Sequence, residues 1–289
     1  MKLKSEIRFV SLNTMFRPRT DVNLAFIIIY LSSYFVAFAI YGFDKWWLYA
    51  YLIHAFILTF GVGFGYHRVI IHICAEVFLP VRRFAAAVAT LSNTGSAITW
   101  GSSHYLHHSF PDTDKDPHSP EIYGFKILLG FYNTDQILKS YRKIFPAIRH
   151  ISKDRFLVFL HNYYYVIIFS FYLLTFIVGG PKGFLFFGLI PSGTSYLSIL
   201  AVNYFNHGKR GYRNFLTSDH SNNVWWLWPL LFGENWHNNH HQFPNKTTTR
   251  HRFWEIDPIS FYFYIFDRSR YAKIKPLLSR NEIDRGYNC

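Results

Sequence analysis

Four apolar runs, at 24–41, 47–66, 156–178 and 183–204, constrain this chain more than anything else in it. Each approaches or exceeds the roughly 20 residues that a helix needs to cross a bilayer. Composition agrees. Half the residues are apolar and only 16% are charged, against about a quarter in a soluble domain. The short links at 42–45 and 179–182 hold one lysine each, Lys45 and Lys182. The other ends of the runs carry Lys2, Lys4, Arg8, Arg17 and Arg19, then Lys139, Arg142, Lys143, Arg149, Lys153 and Arg155, then a basic tail. Positive residues stay on the cytoplasmic side, so both termini are expected inside and the two hairpin tips outside. The expected fold is an all-α integral membrane protein of one domain, 1–289. It has four transmembrane helices and a cytoplasmic helical cap built from 67–155 and 205–289.

Two other apolar stretches are read differently. Residues 84–100 are Ala-rich but short and interrupted by Ser92-Asn93-Thr94-Gly95-Ser96, which suits a surface or cap helix. Residues 261–266, after Asp257-Pro258, suit an aromatic helix at the membrane interface. The net charge of +13 raises nucleic-acid binding as an option, but basic residues flanking apolar spans answer to lipid instead. Cys74 and Cys289 are the only cysteines, which excludes a disulfide scaffold and a thiol metal box. No cleavable signal is expected, because residues 1–21 have no apolar run of their own. Gly61-Val62-Gly63-Phe64-Gly65 lies inside a span with no strand before it, so it is not a phosphate loop.

The chemistry lies in the histidines. His104-Tyr105-Leu106-His107-His108 and His237-Asn238-Asn239-His240-His241 share one pattern, H-x-x-H-H. Positions i, i+3 and i+4 lie on one helix face, so each box can converge three imidazoles. Imidazole is the commonest protein ligand for metals and suits iron, zinc, copper or nickel. The second run delivers His67 and His72 to the cytoplasmic edge. Five residues of α-helix separate them by about 140°, so either they serve different metals or the helix loosens there. The fourth run delivers Asn203 and His207, which share a face at i, i+4. Two spans separate His108 from His207, so all nine histidines fall on one side, enough for two metals. Of the remaining histidines, His54 and His161 suit helix packing. His118, His150, His220 and His251 are expected to support the site through hydrogen bonds or to be solvated.

The set H-x-x-x-x-H, H-x-x-H-H, N-x-x-x-H and H-x-x-H-H resembles the integral-membrane fatty-acid desaturases, closest to the stearoyl-CoA (delta-9) branch. Asp116-Pro117-His118, Gly233-Glu234 and Trp254-Glu255-Ile256-Asp257-Pro258 fit the same pattern, and the likeness runs from His67 to about Pro258. The resemblance implies a di-iron centre with His67, His72, His104, His107, His108, His207, His237, His240 and His241 as ligands. Asn203 would hold an iron through a water. It implies a fatty-acyl substrate, with dioxygen and two electrons removing two hydrogens and inserting a cis double bond. The donor would be a separate ferredoxin or a small cytochrome of the b5 type. Carboxylates near such a centre should orient the imidazoles, and Glu234, Asp116, Asp219 and Asp257 are the candidates.

The resemblance also implies an acyl tunnel. Trp100 matches a tryptophan along it, with core packing as the alternative. Counting back from His67 by fours gives Gly63, Thr59 and Ala55, then Tyr51, a stripe of small residues that either lines the tunnel or packs a neighbouring helix. One departure bears on the substrate. Acyl-CoA enzymes of this branch usually carry Arg-Asp before the second box, where this chain has Ser102-Ser103. The carrier therefore stays open between CoA, a lipid and acyl carrier protein. Competing readings are a related di-iron hydroxylase or alkane monooxygenase, and a histidine-rich metal transporter, which would place its ligands at the bilayer midplane.

Overall fold

The computed structural model describes residues 20–208 and 210–274, so the basic N-terminus and C-terminal tail lie outside the described residues. Among the described residues, three helical stretches are long and apolar enough to cross a membrane: Asn23–Tyr41, Lys45–Ile71 and Tyr164–Phe205. The first belongs to α1 (Thr20–Tyr41), which buries Ile27, Tyr30 and Ala37 and leaves Leu24, Ile28, Leu31, Phe35 and Phe38 exposed. That outer stripe, at spacings of three and four, has no partner within the fold and suits lipid.

The second, α2 (Lys45–Ile71), starts on Asp44, whose carboxylate accepts from the Trp46 N–H at 2.8 Å. Its last fifteen residues, Ile57–Ile71, wind more widely, as π-helix. All but one of them are buried. Gly61 and Gly65 explain how the neighbouring helix comes so close. A Cβ on Gly61 would stand 2.7 Å from the Ala89 nitrogen, and one on Gly65 2.8 Å from the Ala85 Cβ. Both partners belong to α3 (Leu79–Thr90). The stretch 84–100 is therefore not a surface helix. Ala85, Ala86 and Ala89 are buried against α2, and the stretch breaks at Asn93 and Gly95, both at positive φ, before α4 (Ala97–Ser109) begins.

The run at 156–178 is also not one helix. It divides at Tyr163 into α5 (Arg155–Asn162) and α6 (Tyr164–Gly183). No proline or glycine marks this break, so apolarity alone could not show it. The turn carries His161 onto the Ser96 hydroxyl at 2.6 Å. Gly180 (φ 61°) then interrupts the stretch, and the chain folds back on itself. Phe184 packs on both Tyr172 and Phe176, and the return limb continues into α7 (Ile190–Phe205). Lys182 in this turn pairs with Asp44 at 3.0 Å, tying the two hairpin tips together.

The cap is mostly loops and short helices, among them α8 (His237–Gln242) and α9 (Ile259–Arg268). The latter is the expected aromatic helix, and it seats Ile259 and Phe263 against the π-helical segment. The fold is not wholly α. Ala75–Val77 and Ala272–Ile274 pair as antiparallel strands, with Glu76 opposite Lys273.

Candidate metal centre

Two histidine clusters form where α2, α4, α7 and α8 meet. His67, His72, His104, His108 and His240 make one; His107, His207, His237 and His241 make the other. The π-helix decides the fate of the first pair. The His72 N–H bonds to the His67 carbonyl at 3.0 Å, a five-residue step, so the two rings meet edge to face rather than diverge. Their centroids are 4.9 Å apart. On α4 the box presents His104, His107 and His108 from one face, after a start on the Ser96 hydroxyl, which accepts from the Thr99 N–H.

The asparagines of the other box do structural work. Asn238 Oδ1 accepts from the N–H groups of Asn214 and Phe215, both at 2.9 Å, and Asn223 Oδ1 accepts from the Asn238 N–H at 3.0 Å. Asn239 donates to Glu255 at 2.9 Å. This amide lattice fixes a helix of six residues that could not hold its shape alone.

Carboxylates set the ring tautomers. His107 Nδ1 donates to Asp116 at 2.7 Å, His241 Nδ1 to Asp219 at 2.8 Å, and His207 Nδ1 to Asp112 at 3.0 Å. Glu234 lies 2.5 Å from His67 Nδ1. Each of these rings then turns its Nε2 lone pair inward. Among the expected carboxylates, Asp257 is the exception. It binds no histidine but pairs with the buried Arg68 at 2.8 and 3.1 Å, because a guanidinium without water needs that charge. Asp112 was not anticipated. Its signal in the sequence is a Pro-Asp turn four residues after His108, and it sits at φ 59°.

The site fits metal. A metal–imidazole bond of about 2.1 Å puts two nitrogens about 3.0 Å apart at right angles and about 3.4 Å apart at tetrahedral corners. The Nε2 pairs His67–His240, His72–His104, His108–His240, His107–His241 and His237–His241 stand 3.0, 2.8, 3.0, 3.2 and 3.1 Å apart. These spacings are those of imidazole nitrogens gathered around shared ions. His107 and His241 both spend their Nδ1 protons on carboxylates, so their facing Nε2 atoms are placed to share a cation. Beside them His207 Nε2 is buried with no hydrogen-bond partner among the described residues.

Electrostatics keep the ligands ready. Burial, then repulsion among neighbouring imidazoles, holds His72, His104, His108, His237 and His240 well below the ordinary histidine value. Burial lowers His241 to about 4, against the pull of Asp219. In His107 burial is outweighed by Asp116, and that ring alone among these is raised. Asp116 and Asp219 are held far below the usual carboxylate range despite burial, Asp116 mainly by His107 and Asp219 by His241.

A cavity of about 680 Å³ reaches this centre. Trp100, Ser103, His104, His118 and Asn203 line it, and Trp100 stacks on the His104 ring at 4.6 Å. Asn203 donates to the Tyr132 hydroxyl at 2.8 Å. The other expected tunnel residues are not in its lining. The Thr59 hydroxyl bonds to Ala55 O and Tyr262, a Cβ on Gly63 would meet Ile259, and Ala55 packs into the core. His118 is buried with His107 and Asp116, whereas His220 and His251 are exposed. His150 reaches Ile70 O at 2.8 Å, and His54 bonds to Ser195 and Leu230 O.

A family model for fatty acid desaturase matches residues 44–260. The chain is 33% identical over 210 residues to Delta-9 acyl-lipid desaturase 1 of Arabidopsis thaliana, covering 71% of this chain and 67% of that protein. It is 31% identical over 205 residues to sn-2 palmitoyl-lipid 9-desaturase of Nostoc sp. (strain 36), covering 69% and 70%. It is 30% identical over 199 residues to sn-1 stearoyl-lipid 9-desaturase of Anabaena variabilis, covering 68% and 71%. The family match takes in every histidine of both clusters, so the chain belongs to the fatty acid desaturase family and is an oxidoreductase that desaturates acyl chains.

Proposed function

We propose that this enzyme inserts a cis double bond at the ninth carbon of a saturated acyl chain while that chain is esterified to a membrane lipid. The relatives' names support the position and the carrier, and Ser102 and Ser103 support the carrier too, since neither supplies the charge a CoA head group calls for. The observation that carries the reading is the cavity ending on His104 beside two histidine clusters. Two iron ions are the metals, held by the nine histidines, with Asn203 reaching one through water. When bound, the irons supply the oxidising power that an unactivated methylene needs, using dioxygen and two electrons from a separate ferredoxin or cytochrome b5-type donor. The protein supplies position. Glu234, Asp116, Asp219 and Asp112 hold Nδ1 protons so that Nε2 faces inward, and Trp100 walls the chain against His104. The chain makes one desaturase domain. It crosses the bilayer four times, with Gly180 at the tip of the second hairpin and with both termini and the metal site cytoplasmic.

Gas chromatography of fatty acids from cells expressing the protein tests this. The parent should raise cis-9 monounsaturated chains in membrane lipids. His104→Ala, His207→Ala and His237→Ala should each abolish that product with the protein still inserted, and His251→Ala should keep most of it. Equal loss in both groups, or a hydroxylated product, would overturn the assignment.

A further inference from the structure

The cavity has a second end. At the metal it is walled by Trp100, His104 and Asn203; outward it is bordered by Phe26 of α1 and by Tyr165 and Val166 of α6. Phe26 and Tyr165 stack across this edge, centroids 6.5 Å apart and planes within 7°. Val166 is 61% exposed and begins an outward row with Phe169, Leu173 and Phe176, spaced by three and four. On α1, Phe26 lies on the more buried side of the helix, near Tyr30 and Ala37, so the exposed apolar lead-in to the mouth is the outward row of α6. The mouth therefore opens onto an apolar helix face. It does so at the end of the bundle where α1 and α6 begin and α7 finishes, level with the junction between spans and cap.

The lining chemistry is selective. Among the described residues, no Lys, Arg, Asp or Glu borders the cavity. A CoA diphosphate or a free carboxylate would be buried there without a countercharge, which is heavily unfavourable. Three polar atoms within it are buried and unpartnered among the described residues: Asn93 Oδ1, Ser103 Oγ and Tyr196 Oη. Each parent side chain is at most 9% exposed. Buried polar groups are rarely left unpaired, so these three call for neutral polar groups from a ligand or its accompanying water. Two of them are hydroxyls that can donate to the oxygens of an ester.

We propose that the cavity takes ester-linked acyl chains sideways from the bilayer, between α1 and α6, and holds the uncharged ester while the head group stays outside. Head-group charge then has little influence on which lipid is used. The proposal rests on the acyl-lipid reading above and adds the route and the selectivity.

The test uses iron-loaded full-length protein in nanodiscs with an electron donor. Stearoyl chains are presented as phosphatidylcholine, phosphatidylglycerol or a galactolipid, or as stearoyl-CoA or stearoyl-acyl carrier protein. The three lipids should be desaturated within about threefold of one another, and the soluble thioesters at least about tenfold more slowly. Val166→Trp should cut lipid turnover about tenfold, and Leu173→Trp, two turns along the same row, should leave it unchanged. In the parent protein, phosphatidylcholine carrying a diazirine beside the ester should label peptides containing Phe26 or Val166. A preference for either thioester would overturn the acyl-lipid reading itself. Lipid preference combined with an unaffected Val166→Trp enzyme, a strong head-group charge dependence, or label confined to the cap would leave that reading standing and sink the portal.

Discussion

Asp112 adopts a left-handed backbone that few residues other than glycine and asparagine tolerate, and both its oxygens are committed. One accepts from His207 Nδ1 at 3.0 Å and the other from the His220 N–H at 2.7 Å. Asp112→Asn keeps the backbone conformation and removes the charge. It should weaken iron retention at the second cluster by about 10–100-fold, read as iron per protein after dialysis against a chelator. Asp257→Asn, whose parent carboxylate serves Arg68, should lose stability before it loses iron. Parent-like retention in Asp112→Asn would mean that His207 needs no carboxylate behind it. The histidines were legible because H-x-x-H-H survives as a pattern whatever surrounds it. The carboxylates were only partly so. Asp112, Asp114 and Asp116 follow one another in a loop without periodicity, and nothing in the sequence says which of them faces a ring.

Among elements, the π-helical half of α2 decides most. Run length and apolarity made the spans readable, but winding is not written in hydropathy. Counting by fours back from His67 assumes a 3.6-residue turn. Over Ile57–Ile71 the turn is wider, and Gly63 and Thr59 meet Ile259 and Tyr262 of α9 rather than the cavity. The same winding brings His72 over His67, which an α-helix would keep about 140° apart. Gly61 tests the packing that holds this segment. A valine there would drive its Cβ into the Ala89 backbone, which cannot yield as a flexible side chain would. Gly61→Val should destabilise by about 1–3 kcal/mol, seen as a lower melting temperature in detergent. An unchanged melting temperature would show that α3 can move away freely.

At the scale of the whole molecule, the burial of so many imidazoles sets an acid limit. Seven cap histidines, His72, His104, His108, His118, His237, His240 and His241, are depressed, the last to about 4 and His118 to about 3, with only His107 raised. Below about pH 6.5 the unfolded chain binds protons that the fold refuses, so stability is complete above that value and falls as pH drops toward 4. Lowered Asp112, Asp116 and Asp219 extend the loss in the same direction at lower pH. Metal-depleted protein should therefore melt at least about 5 °C lower at pH 5 than at pH 7.5, by scanning fluorimetry in detergent. A flat profile would mean that the rings are already solvated. The weave of the two boxes adds a final consequence. His104 and His108 serve one cluster and His107 the other; His240 serves one, and His237 and His241 the other. Neither helix can settle around a single ion without also shaping the second position. With an ion at each position the two would be linked, each lowering the ordering cost of its neighbour by an equal amount. In assembly the enzyme would then behave less like two binding sites than like one hinge with two pins, closed when both are in and loose when either is drawn.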